Sequence, residues 1–145
     1  MQRKNRKSVL VVDDDEQALI FLEAYLETRG YDTTTAWSGH EALEWLQSRS
    51  FDLILLDDWL PDLSSKEILR QIEGMPIQPF VIVTQSRPSF DSGTKFSSLG
   101  VCDVVEKWMP HQISKAVQNC FESSTLGRFY GSKPSAQYQA SPGRG

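Results

Sequence analysis

Four apolar segments of this sequence each end in polar residues that are suited to handling a phosphoryl group. Carboxylates follow the first two segments: Asp13, Asp14 and Asp15 come after Val9–Val12, and Asp57 and Asp58 come after Leu53–Leu56. The hydroxyl of Thr84 follows Phe80–Val83. Glu106 and the amine of Lys107 follow Val104–Val105. If these segments are parallel strands of one sheet, their polar ends lie along the edge where open α/β sheets bind ligands. The combination therefore predicts a single polar site.

The carboxylates of Asp13, Asp14 and Asp57 would crowd together in such a sheet, because neighbouring strands are about 4.8 Å apart. Acids that close to one another cannot all stay charged at neutral pH without a partner. A hard divalent cation supplies that partner, and Mg²⁺, which binds one or two carboxylates and keeps several waters, fits best. The sequence therefore predicts Mg²⁺ as the cofactor.

An aspartate beside Mg²⁺ can attack phosphorus and form an aspartyl phosphate. In the transition state, negative charge spreads over the equatorial oxygens of the phosphoryl group, so catalysis consists mainly of positioning and charge neutralisation. We expect Mg²⁺ to take one oxygen and the Lys107 ammonium a second. The Thr84 hydroxyl, together with backbone N–H groups, is expected to take the third.

The elements that must position these residues alternate between strand and helix about five times, which predicts an α/β fold with helices on both faces of a parallel sheet. Continuous apolar runs are typical of strands buried on both faces, whereas a Thr-rich second strand indicates a sheet edge. We expect strand order 2-1-3-4-5 and five helices. The predicted strands are Val9–Val12, Asp32–Ala36, Leu53–Leu56, Phe80–Val83 and Cys102–Val105.

Helix boundaries can be predicted from local signals. Gly30 is placed to end the first helix in a left-handed conformation, and Ser38–Glu41 has the pattern of a capping box at the start of the second. The fourth helix, around Thr94–Leu99, is short and weakly patterned. From Ser123 onward Gly, Ser, Pro and Gln dominate, so we expect the fifth helix to end near residue 122.

The chain is thus predicted to consist of a basic N-terminal arm over residues 1–7, one folded domain over 8–122 and a disordered tail over 123–145. Residues 9–122 hold all 19 acidic and eight of the 15 basic residues, a net charge of −11, and the ends are basic. Basic ends can touch nucleic acid or anionic lipid non-specifically, or they can simply be solvated. The acidic domain argues against DNA binding, and no helix-turn-helix follows it.

Nothing in the sequence predicts export or membrane insertion. No apolar stretch approaches the length of a membrane span, and the run after the basic N-terminus is too short for a signal peptide. Cys102 and Cys120 do not suggest a disulfide framework, so a reducing cytoplasm is the expected location.

Residues 8–122 resemble the receiver domain of bacterial two-component response regulators. The matching segments are VLVVDDD (Val9–Asp15), DLILLD (Asp52–Asp57), Leu60–Pro61, PFVIVT (Pro79–Thr84) and Lys107 after the fifth strand. The resemblance implies the flavodoxin-like, doubly wound five-stranded sheet described above.

The resemblance also assigns roles to the site residues. It implies that Asp57 is the phospho-acceptor, that Asp14 is a direct Mg²⁺ ligand, and that Asp13 acts largely through water. The backbone carbonyl of Trp59 would be a further metal ligand. The phosphoryl group would come from a sensor kinase phosphohistidine or a phosphotransfer protein. The fourth helix, fifth strand and fifth helix would then dock a downstream partner protein or form a homodimer.

Several residues depart from the family pattern. Trp108 replaces the cis proline that usually follows the lysine, which leaves the isomer of the Lys107–Trp108 bond and the direction of Lys107 open. Val104 stands at the usual aromatic switch position, Gln85 replaces a small residue after Thr84, and the usual flexible glycine is replaced within Ser64–Ser65. Trp108, with Met109, either marks a partner site or fills a gap beneath its loop.

Trp59 lies two residues after the predicted acceptor, Asp57. Its side chain could shield a phosphoryl group on Asp57 from water, which predicts slow loss of the phosphate and faster loss in Trp59→Asn. The alternative is that Trp59 only packs on the surface.

Three functions can be considered for this sequence. The first is a stand-alone response regulator that accepts a phosphoryl group on Asp57 and catalyses only its own phosphorylation and hydrolysis, so that it is not an enzyme acting on other substrates. The second is a receiver-like interaction module that is never phosphorylated. The third, a phosphatase with an aspartyl nucleophile, usually needs a second Asp two residues after the first, and Asp57-Asp58-Trp59 lacks it.

Overall fold

The fold is described from a computed structural model, which describes residues 5–87, 96 and 99–130, with the backbone alone over 124–130. Five strands form one parallel sheet of order β2-β1-β3-β4-β5. Their bounds are β1 Ser8–Val12, β2 Asp32–Ala36, β3 Leu53–Asp57, β4 Phe80–Gln85 and β5 Val101–Glu106. The predicted fold class and strand order are confirmed.

Four helices lie within the described residues: α1 Glu16–Thr28, α2 Gly39–Ser48, α3 Ser65–Glu73 and α4 Pro110–Tyr130. The fourth helix predicted from sequence, around Thr94–Leu99, lies mostly outside the described residues, so α4 here is the predicted fifth helix. It continues to Tyr130, eight residues beyond the predicted end of the domain. The tail was expected to be disordered from residue 123, and the structure differs there; residues 131–145 lie outside the described residues.

Two apolar layers cover the two faces of the sheet, because side chains alternate between faces along each strand. One layer packs α2 and α3 against the face that contains Leu10, Ile54 and Val83. The other packs α1 and α4 against the face that contains Val11 and Leu55. Strands β1 and β3 are buried on both faces, whereas β2, at the edge, is half-buried through most of its length.

The helix caps agree only in part with the sequence signals. Gly30 has φ +93° and its N–H donates to the Glu27 carbonyl, as predicted for a left-handed helix end. The Ser38 hydroxyl accepts from the Glu41 N–H, but the Glu41 carboxylate accepts from the Trp37 N–H, so the predicted capping box is incomplete. A complete capping box instead begins α3, at Ser64.

Two features at the periphery differ from the sequence predictions. Arg6 belongs to the predicted basic arm, yet its guanidinium donates to the Gly30 carbonyl at 3.0 Å. Cys102 of β5 and Cys120 of α4 form a disulfide with a Cα–Cα distance of 6.3 Å. The expectation of unpaired cysteines is therefore wrong, because the packing of α4 on β5 brings together residues that are 18 positions apart. No helix among the described residues is long and apolar enough to cross a membrane.

Candidate functional site

The strand order brings the predicted site residues to one edge of the sheet. Asp13 follows β1, Asp57 ends β3, Thr84 lies near the end of β4, and Lys107 follows β5. Asp57 and Thr84 are direct partners in the β3–β4 register. Because β1, β3, β4 and β5 are consecutive in the sheet, the acids and the amine meet at its carboxyl edge, and Thr84 lies beside Asp57 in the neighbouring strand.

The carboxylates of Asp13, Asp14 and Asp57 form a compact cluster, in which one oxygen of each lies within 4.8 Å of the others. Asp13 and Asp57 are buried, with 0% and 3% of their surface exposed, whereas Asp14 is exposed. The cluster is therefore open to solvent on the Asp14 side and closed on the sheet side.

Lys107 lies against the two buried carboxylates. Its Nζ is 3.2 Å from Oδ1 and 3.1 Å from Oδ2 of Asp13, and 3.7 Å from Oδ1 of Asp57. Burial lowers the pKa of Lys107, but the charges of Asp57 and Asp13 outweigh it, so the pKa lies above its usual value. The Lys107–Trp108 bond is trans, and Lys107 points into the site.

Burial dominates the electrostatics of the acids. It raises the pKa of Asp57 to about 7, with a further contribution from the charge of Asp13, and Lys107 opposes both. Burial also raises the pKa of Asp13, although the N–H of Asp15 and the Lys107 ammonium stabilise its charged form. The site therefore holds more negative charge than its own cation balances.

The donor set fits a hard divalent cation. Oδ2 of Asp13 is buried and accepts no hydrogen bond from the described part of the chain, since the Lys107 ammonium near it forms an ion pair outside hydrogen-bond geometry. Carboxylate oxygens are the ligands that Mg²⁺ prefers, and this cluster offers three carboxylates. Asp13, Asp14 and Asp57 could therefore hold Mg²⁺.

The segment between β3 and α3, which carries Trp59, is held at both ends. At its start, the Asp58 carboxylate accepts hydrogen bonds from Ser65 Oγ at 3.0 Å and from Gln85 Nε2 at 2.8 Å. At its other end, Asp62 accepts from the backbone N–H groups of Gly39 and His40, each at 2.9 Å. Burial opposes the ionisation of Asp62, but these donors and the His40 ring hold its pKa at about 2.

Sequence reasoning missed the roles of Asp58 and Asp62 as anchors of this segment. Asp58 adjoins Asp57, and a bulky glutamine at position 85 was visible as a departure from the family pattern. The hydrogen bond between Gln85 and Asp58 joins two strand ends and residues 27 positions apart, so it is a tertiary contact. The Asp62 contact with α2, over 22 or 23 positions, is of the same kind.

The aromatic residues near the site differ in their environments. The Trp59 side chain is 78% exposed, so it neither covers Asp57 nor packs on the surface in this conformation. Trp108 is 45% exposed and its ring lies 5.6 Å from that of Phe21 on α1. Trp108 therefore fills part of the space beside α1, while Met109 next to it is equally exposed.

Comparison with known proteins identifies residues 9–118 with the family described as the response regulator receiver domain. The chain is 33% identical over 122 residues to the alkaline phosphatase synthesis transcriptional regulatory protein PhoP of Bacillus subtilis (strain 168), covering 83% of this chain and 50% of that protein. It is 36% identical over 83 residues to the response regulator ArlR of Staphylococcus saprophyticus, covering 57% of this chain and 38% of that protein. The chain thus spans about half the length, or less, of these relatives.

Solved structures agree with this comparison. A response regulator receiver domain protein from Clostridium thermocellum superimposes with a TM-score of 0.74 at 26% identity, covering 83% of this chain and 98% of that one. A CheY-like receiver domain protein from Methanospirillum hungatei gives a TM-score of 0.76 at 23% identity, covering 84% and 98%, and supports the fold alone.

Proposed function

The chain belongs to the response regulator receiver domain family, and from that premise we propose that Asp57 accepts a phosphoryl group from a phosphohistidine donor in the presence of Mg²⁺. The observation that supports this most directly is the buried contact between Lys107 and the carboxylates of Asp13 and Asp57. Removing a lysine and two acids from water costs free energy. In a phosphoryl-transfer site each of these three groups has a chemical role.

The chemistry assigned to the residues follows from their positions. An Asp57 carboxylate oxygen attacks phosphorus and forms the new P–O bond. The P–N bond of the donor phosphohistidine breaks, and its electron pair returns to the imidazole, which takes up a proton. Lys107 and the Thr84 hydroxyl stabilise the equatorial oxygens.

Bound Mg²⁺, held by Asp13, Asp14 and Asp57 with the backbone carbonyl of Trp59, would neutralise charge on the phosphoryl oxygens. Asp14 is proposed as a direct ligand and Asp13 as one that acts largely through water. Since burial raises the pKa of Asp57 to about 7, a cation at this site would also favour the ionised form that attacks phosphorus.

The proposed partners are a sensor histidine kinase or phosphotransfer protein upstream and a separate protein downstream. The proposed location is the cytoplasm, where reducing conditions would convert the Cys102–Cys120 disulfide into two thiols. The output surface is proposed to include β5 and α4, through which a homodimer could also form. In this role the domain catalyses only its own phosphorylation and hydrolysis.

The direct test is incubation with Mg²⁺ and acetyl phosphate, followed by intact mass measurement. We expect one added phosphoryl group on the parent chain and none on Asp57→Asn. Glu44→Gln is the matched control, because it makes the same carboxylate-to-amide change at an exposed position of α2 and leaves the site unchanged. Absence of phosphorylation with acetyl phosphate and with candidate kinases, together with absence of Mg²⁺ binding, would instead favour a docking module that is not phosphorylated.

A further inference from the structure

Gln85 connects three of the strand ends that form the site. Its side chain is buried, and Nε2 donates to Oδ2 of Asp58 at 2.8 Å. Its backbone carbonyl accepts the N–H of Lys107, also at 2.8 Å. A single residue at the end of β4 therefore holds both the residue after Asp57 and the lysine after β5.

Asp58 is in turn held from two further directions. Its backbone N–H donates to the Thr84 carbonyl at 2.9 Å, and Ser65 Oγ donates to its Oδ1 at 3.0 Å. Both carboxylate oxygens of Asp58 thus have donors, and its backbone continues the β3–β4 hydrogen bonding one residue beyond Asp57. These contacts restrain the backbone just beyond the end of β3, where the strands of a parallel sheet normally separate into loops.

A buried glutamine is costly unless its amide is hydrogen-bonded. Hydrogen bonds to a charged acceptor are the stronger kind, and the bond from Gln85 to the Asp58 carboxylate is of this kind. Because the three reacting groups come from different strands, their relative positions depend on lateral contacts such as this one. Small displacements of a reacting group can lower a rate by about two orders of magnitude.

We propose that Gln85 is a positioning residue, which holds Asp57, Thr84 and Lys107 in register for phosphoryl transfer through its bonds to Asp58 and to the Lys107 N–H. Gln85 acts through these neighbours and does not touch the phosphoryl group. The proposal rests on the proposed function, because it assigns Gln85 a part in the phosphorylation of Asp57.

Exchange of donor and acceptor tests the Gln85–Asp58 bond. Gln85→Glu places two carboxylates face to face, and we expect phosphorylation by acetyl phosphate to slow by about tenfold or more. Combining Gln85→Glu with Asp58→Asn restores the bond with its polarity reversed, while Asn at 58 still offers an oxygen to Ser65. The double variant should recover most of the rate. Gln47→Glu, which adds the same charge at an exposed position of α2, is the matched control and should not change it.

A second readout does not depend on phosphorylation. In the unphosphorylated protein, the backbone N–H hydrogens at positions 58 and 107 should exchange with solvent faster in Gln85→Glu than in the parent. Their exchange rates should return toward the parent values in the double variant. A merely space-filling role for Gln85 predicts no such rescue, since the double variant keeps the same altered side chain at position 85.

The outcomes separate this proposal from the proposed function. If the parent takes up no phosphoryl group, the proposed function fails and the role of Gln85 fails with it. If the parent is phosphorylated and Gln85→Glu reacts at the parent rate, only the positioning role is overturned. A slow Gln85→Glu variant with an equally slow double variant would also overturn it, provided that thermal unfolding shows both to be folded.

Discussion

Lys107 Nζ lies closer to Asp13 than to Asp57, at 3.1–3.2 Å from both oxygens of Asp13 and 3.7 Å from Oδ1 of Asp57. In the structure the lysine therefore neutralises mainly the carboxylate that is fully buried. A phosphoryl group on Asp57 would bring new negative charge beside the same ammonium, which could then divide its contacts between the two sides. Lys107 is thus a structural ion-pair partner as well as a proposed catalytic residue.

Replacing Lys107 should destabilise the protein. In Lys107→Gln the carboxylates of Asp13 and Asp57 stay buried without their cation, and breaking a buried pair in this way costs about 3–5 kcal/mol. Urea unfolding at pH 7 without Mg²⁺ measures the loss. Lys115→Gln, at an exposed position of α4, is the control and should change the free energy of unfolding by less than about 0.5 kcal/mol. Equal stability of the two variants would contradict this account of the site.

The raised pKa of Asp57 predicts how stability depends on pH. Because its pKa is about 7 in the folded protein and 3.8 ordinarily, the folded state binds more protons between these values. The contribution of Asp57 to the free energy of unfolding is therefore fully present below pH 4. It falls by at most about 4 kcal/mol as the pH rises to 7.

Asp57→Asn removes that loss, so the variant should be more stable than the parent above pH 7 and lose its advantage as pH falls toward 4. Unfolding free energies in metal-free buffer at several pH values measure the difference. Adding Mg²⁺ at pH 8 should stabilise the parent more than the variant, because a ligand stabilises the state that binds it. A pH-independent difference would show that Asp57 titrates normally.

Trp59 predicts a property of the phosphorylated state. Its side chain is 78% exposed in the structure, so it is free to lie across a phosphoryl group on Asp57 and exclude water. We expect Trp59→Asn to lose the phosphate several-fold faster than the parent, as followed by intact mass after removal of acetyl phosphate. Trp37→Asn, which changes another exposed tryptophan, is the control. An unchanged lifetime in Trp59→Asn would exclude shielding.

The Cys102–Cys120 pair predicts that stability depends on redox conditions. A disulfide that closes a loop of this length, with residues 18 positions apart, stabilises a fold by about 3 kcal/mol in the chain-entropy account. Protein purified under oxidising conditions should lose about that much on reduction, and thiol titration should rise from zero to two thiols. Cys120→Ser should show no dependence on reductant, and the same reductant response in that variant would assign the effect elsewhere.

Much of the site could be predicted because its residues are close in sequence to strong strand signals. Asp13, Asp57 and Thr84 each end or follow an apolar run, and parallel strands place such ends at one edge. The polar composition of Asp32–Ala36 likewise predicted an edge strand. The end of α4 was predicted less well, because loss of apolar periodicity after Ser123 removes the packing signal without preventing the helix from continuing to Tyr130.

Sequence by itself therefore determined the five strands, their order and the chemical types that meet at the carboxyl edge, because these follow from local periodicity and from the geometry of parallel strands. Only the tertiary structure decided which of those groups touch. The preference of Lys107 for Asp13, the bond from Gln85 to Asp58, the anchoring of Asp62 on α2 and the pairing of Cys102 with Cys120 all join residues from different elements. Their distances depend on how helices and loops pack on the sheet, and no pattern of neighbouring residues along the chain encodes that packing.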